Sequence, residues 1–205
     1  MIKLRRLLTP FCCLLTPILW AGAYSQQDRE SALAELENSR ISLSAALESV
    51  TQKQSEFRPD SNTWSVLQVV EHLALSENFL FGLMKQMLDQ TKPVPDEEKL
   101  PDPREMDQLI LTRIPDRSQK AKAPEQATPK DAYRNRDEAL LAFAQRREKT
   151  MEFVRETKLD LRRSRGPSPV GTMDAHQWLL MIAAHTNRHV QQIEELRRHE
   201  LFPKE

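Results

Sequence analysis

Apolar residues recur along this chain at intervals of three and four in four separate stretches, the signature of amphipathic helices. In residues 28–54, Leu33, Leu36, Leu43, Leu47 and Val50 share one face, and Arg40 with other charged residues fills the rest. Ser65 and Gln68 have the spacing of a capping box and open a second helix, whose inward stripe is Val69, His72, Ser76, Phe79, Leu83 and Met87. A third pattern starts at Thr128 with Pro129 in the first helical position. It runs through Tyr133, Leu140, Phe143, Ala144, Met151 and Val154 and fades near Leu161. Gly166, Pro167, Pro169 and Gly171 make a turn, and Asp174 with Gln177 reads as the capping box of a fourth helix. The expected strand count is zero.

Residues 91–130 hold seven of the 13 prolines, a density that excludes one long helix, although residues 105–114 suit a short one. A crossover of this length inside a compact domain is unusual and often functional, which makes it a candidate lid. Two helices, a long crossover and two more helices predict an all-α four-helix bundle.

The fourth helix carries the chemistry. Trp178, Ile182, His185, His189, Gln192 and Leu196 step by four and three, so two imidazoles stand in consecutive turns of a core-facing stripe, about 6 Å apart along the axis. A buried imidazole without partners is costly, at about 1 to 3 kcal/mol for each unsatisfied group. His72 on the second helix would make three neutral nitrogen ligands with a fourth position open, the pattern of catalytic zinc. The competing reading makes all three hydrogen-bonded core residues. Gln192 and Ser76 share the ligand faces and suit supporting roles around the metal. No ordinary general base lies there, so no catalytic group is assigned.

The remaining candidates read as surface. His176 lies about 180° round the helix from His185, and His199 about 15 Å along the axis from His189, so both are expected in solvent. Glu71 and Glu77 point away from His72 and read as surface charge. Arg134, Arg136, Arg146 and Arg147 alternate with Asp137, Glu138 and Glu148, which describes a solvated face.

Charge and composition narrow the class. Lys3, Arg5 and Arg6 precede an apolar run over residues 7–20, then small residues with cleavage expected after Ala23 or Ser25. Residues 1–25 are therefore read as a signal peptide and 26–205 as one domain, exported to a periplasm or secreted, with no stable membrane span after cleavage. Both cysteines, Cys12 and Cys13, fall in that leader, leaving no thiol for a disulfide, a metal or a nucleophile. Removing the three leader cations from 30 Lys and Arg against 30 Asp and Glu leaves a net charge of about −3. That is not the footprint of a nucleic-acid binder.

Residues 64–77, WSVLQVVEHLALSE, resemble the second-helix signature of the DinB superfamily. Asp116-Arg117 followed by Ala123-Pro124-Glu125 and Pro129 is similar to its crossover, and residues 185–193, HTNRHVQQI, to its fourth-helix signature. The likeness spans residues 33–200. It implies a four-helix bundle holding a divalent transition metal, zinc ahead of nickel, through positions matching His72, His185 and His189. It also implies a small-molecule substrate or ligand, acted on by a metal-dependent hydrolase or a thiol-dependent S-transferase, or held by a non-catalytic binding module. A homodimer is compatible with it. Metal affinity is expected to fall as pH drops through about 6.5, because the ligands must be neutral.

Overall fold

Capping chemistry decides where the helices start, and it interrupts the chain once more than periodicity predicts. The computed structural model describes residues 24–95, 97–118 and 122–204, so most of the candidate leader lies outside the described residues. Ser25 accepts from the Asp28 amide and opens α1, Gln26–Leu47. That helix ends before residue 54 because Thr51 and Gln54 close a capping box of their own and begin a short α2, Gln52–Glu56. The Ser65–Gln68 box opens α3, Val66–Gln90, as its sequence predicts, and α4, Arg104–Arg113, is the expected short crossover helix.

The third long helix starts later than Thr128. It is α5, Arg136–Glu156, capped by the Asn135 side chain. Upstream, Asp131 takes a left-handed φ of 56°, and the amides of Lys130 and Ala132 donate to the Glu71 carboxylate. A left-handed residue cannot continue a right-handed helix, so the run from Thr128 is broken at Asp131 and the helix begins beyond it.

The expectation of no strand is also corrected. β1, Arg165–Ser168, pairs antiparallel with β2, Gly171–Asp174, through a two-residue turn that relies on Gly171 at φ 115°. Four-residue strands are too short to reveal alternation. Gly166 is required by contact, since a Cβ there would lie 2.6 Å from Met87 Cγ. α6, Ala175–Arg197, follows directly on the predicted Asp174–Gln177 box.

The four long helices pack in a ring, with α1 against α5 and α6, and α3 against the same two; α4 lies on α6. The apolar core falls into two clusters. One gathers Leu36, Met84, Val154, Leu161 and the start of α6 from Trp178 to Ala184. The other gathers Leu43, Leu47, Val66, Val69, Phe143, Ile193 and Leu196. A polar layer separates them, with Ser39 of α1, Glu77 of α3, Arg147 and Thr150 of α5, and Thr186 of α6 all buried.

Arg147 and Glu77 are therefore not on a solvated face. Arg147 donates from Nε and Nη2 to the two Glu77 oxygens at 2.9 Å, and to the Leu36 carbonyl, Ser39 Oγ and Thr186 Oγ1. α3 packs against both long helices α5 and α6, so its buried arc is wider than one stripe: His72 serves α6 while Glu77 serves α5. His176, expected in solvent, is 1% exposed, because Tyr24 covers it and hydrogen-bonds its Nδ1. His199 is half-buried against the Phe57 ring. No described helix is long and apolar enough to cross a membrane.

Candidate metal centre

The register of α3 against α6 brings His72, His185 and His189 to one point. Their Nε2 atoms stand 3.4 Å apart between His72 and His185, 3.1 Å between His72 and His189, and 3.2 Å between His189 and His185. Tetrahedral ligands with metal–nitrogen bonds of about 2.0–2.1 Å lie about 3.3–3.4 Å from one another, so the triangle has the size of a metal's ligand face. Among the described residues, these three are the group of side chains whose donor atoms converge in this way.

Outer partners fix which ring nitrogens carry protons. His72 Nδ1 lies 2.6 Å from the Ala127 carbonyl, and His189 Nδ1 lies 2.8 Å from Gln192 Oε1. Both acceptors lack a proton, so both Nδ1 atoms donate and both Nε2 atoms present bare lone pairs. Two bare lone pairs facing each other at 3.1 Å repel unless a cation stands between them. This is the feature of the site that a divalent metal would relieve, and metal-bound imidazoles usually donate their other ring N–H to a carbonyl or carboxylate in this way.

Burial reinforces the neutral state. It is the main cause lowering the His72 pKa, partly offset by the Ala127 bond, and it holds His185 well below its usual range, helped by the two neighbouring imidazoles. His189 is pushed down to about 3 by burial and then by His72. Proton competition with a metal therefore sets in below the pH of 6.5 expected for unperturbed imidazoles.

The crossover is fastened to the site on both sides. Arg117 forms a bidentate pair with Glu195 at 2.7 and 2.8 Å and reaches Gln192 Oε1 at 3.4 Å, which holds that amide toward His189. Arg188 donates to the carbonyls of Ile114 and Asp116. At the other end, the Glu71 carboxylate grips the amides of Lys130 and Ala132 just beyond the Ala127 carbonyl. Glu71 is 1% exposed, so its reading as surface charge is corrected too. Trp64 packs its ring 4.8 Å from that of His72.

Of the residues singled out from sequence, the three histidines, Gln192 and Ser76 meet here, and Ser76 Oγ lies 3.3 Å from His72 Nε2. The sequence gives Ala127 and Arg117 no role of their own, and it reads Glu71 as surface charge. Ala127 acts through a backbone carbonyl, which leaves no trace in residue identity. Arg117 had a signal only in the crossover resemblance.

Comparison with known proteins agrees with this architecture. The sequence profile of the DinB superfamily matches residues 35–193. The fold is similar to that of YfiT from Bacillus subtilis, described as a probable metal-dependent hydrolase with an unusual four-helix bundle topology. The TM-score is 0.55 and the identity 19%, over 86% of this chain and 89% of that one. No curated protein matches the sequence.

Proposed function

The chain belongs to the DinB superfamily, and from that premise we propose that it is an exported metal-dependent hydrolase acting on a small molecule. The observation that carries the reading is the convergence of three Nε2 atoms at 3.1 to 3.4 Å, two of them with lone pairs bared by outer hydrogen bonds. The description of YfiT supports the reaction class. Zinc is the favoured ion and nickel the second, since neutral imidazole suits both.

A divalent cation at an open three-imidazole site lowers the pKa of a bound water toward about 7 and polarises a carbonyl. The chain's own residues do the rest. His72, His185 and His189 hold the ion as neutral ligands. Ala127 and Gln192 orient two of the rings. Arg117 and Glu195 keep Gln192 turned toward His189, and Glu71 keeps the Ala127 segment in place.

Elemental analysis of protein purified without a metal-affinity tag should find about one transition metal per chain, lost in His185→Ala/His189→Ala. Metal-loaded protein should turn over members of a panel of activated esters and amides, and His189→Ala should not. Metal bound without turnover on any of them would reduce the reading to a binding module. No metal after reconstitution would return the three histidines to the core.

Export is part of the same proposal, and residues 24 and 25 bear on where the leader ends. Tyr24 is buried against His176 and Ser25 caps α1, so cleavage after Ala23 keeps both contacts and cleavage after Ser25 discards both. Expression with the native leader in a bacterial host should give a mature chain beginning at Tyr24 by intact mass. A chain beginning at Gln26 would move the cleavage to Ser25 and leave export standing, whereas a chain left unprocessed counts against export.

A further inference from the structure

Ser76 is 3% exposed, and its hydroxyl has one set of polar neighbours among the described residues, the two ring nitrogens of His72. Neither can accept its proton once a metal is bound. Nδ1 already donates to the Ala127 carbonyl, so it has no lone pair to offer. Nε2 faces the other two histidines, and its lone pair is the one a metal takes. The hydroxyl lies 3.5 Å from Nδ1 and 3.3 Å from Nε2, nearly equidistant and therefore off the lone-pair axis of either nitrogen. A buried hydroxyl proton without an acceptor is costly, and native structures rarely leave one so.

We infer that Ser76 donates its proton to the ligand at the metal's open position, an oxygen or nitrogen anion or a substrate oxygen. Its Oγ lies 3.3 Å from the Nε2 that would face the ion, one turn of α3 beyond His72, so a group held by such an ion would be within the hydroxyl's reach. This makes Ser76 a catalytic residue in the sense of touching what the metal holds. The inference rests on the metal reading above but not on hydrolysis, and the two can fail separately.

The test uses azide binding to the cobalt(II)-loaded protein, followed by its visible d–d absorption. One hydrogen bond to a charged acceptor corresponds to roughly a tenfold change in affinity, so Ser76→Ala should weaken azide binding roughly tenfold. Ser76→Thr, which keeps the hydroxyl, should stay within about threefold of wild type on the same scale. Circular dichroism before titration establishes that each variant is folded. Equal azide affinity in folded, cobalt-loaded Ser76→Ala would show that the hydroxyl turns back to its own helix, and would overturn the proposal. A folded Ser76→Ala that no longer takes up cobalt would make Ser76 a metal ligand and also overturn it. Wild-type protein that takes up no cobalt would overturn the metal reading, and this one with it.

Discussion

Replacing Glu77 with Ala would leave a guanidinium stranded in the middle of the bundle, and the size of the effect follows from its contacts. All five Arg147 N–H donors are engaged, two of them on Glu77, and the Arg147 side chain is fully buried. Thr150, the other donor to Glu77, has a second acceptor in the Arg146 carbonyl at 3.4 Å, so it does not add a stranded proton. Losing two charge-assisted bonds and the counter-charge should cost about 3 to 5 kcal/mol. With a urea slope of about 2 kcal/mol/M for a domain of this size, the unfolding midpoint should drop by roughly 2 M. Urea melts followed by far-ultraviolet circular dichroism measure it. The double variant Glu77→Leu/Arg147→Met should recover most of the loss, since apolar replacement of a buried pair is often neutral. A midpoint shift below about 0.5 M for Glu77→Ala, near 1 kcal/mol on the same slope, would refute the view that this pair sets the polar layer.

Two further outcomes follow from the site. Glu71→Gln swaps a carboxylate that accepts two backbone amides for a group with its own N–H donors, and should loosen the segment that carries the Ala127 carbonyl. Metal affinity, read by competition with a chromophoric chelator, should fall about tenfold as is common for outer-shell changes, with the fold unchanged; unchanged affinity would detach Glu71 from the site. For metal-free protein, His176 is lowered to about 4 and His189 to about 3, both chiefly by burial. The unfolded chain therefore binds more protons than the native one between those values and about 6.5, so stability is full above 6.5 and is lost as pH falls below it. Asp174, raised to about 6 by burial, acts in the opposite sense between about 4 and 6 and offsets part of the loss. Metal-free protein whose thermal midpoint is flat from pH 7 to 4 would contradict the buried, neutral histidines.

Sequence alone determined what local physics controls. The boxes at Ser65–Gln68 and Asp174–Gln177 fix two helix starts within one turn, and the i, i+4 spacing of His185 and His189 fixes that both point the same way. Those features hold in any context that keeps the segments helical, so they were legible beforehand. Helix periodicity also put His72 on an inward face. What it could not do was say which neighbour that face meets.

Tertiary structure decided the rest because it depends on partners far along the chain. Glu77 and Arg147, separated by 70 positions, are each charged and each look like surface until α3 and α5 are laid together. The segment that leads into α5 is tied down by Glu71, a side chain on α3 that accepts from the amides of Lys130 and Ala132. His176 was buried by Tyr24, a residue 152 positions away. The protonation pattern that readies two of the three imidazoles for a cation comes from a backbone carbonyl and an amide held by Arg117, and no residue type announces either. Periodicity states how much of a helix is buried, but only the packed bundle says against what, and the chemistry of this site resides in that second answer.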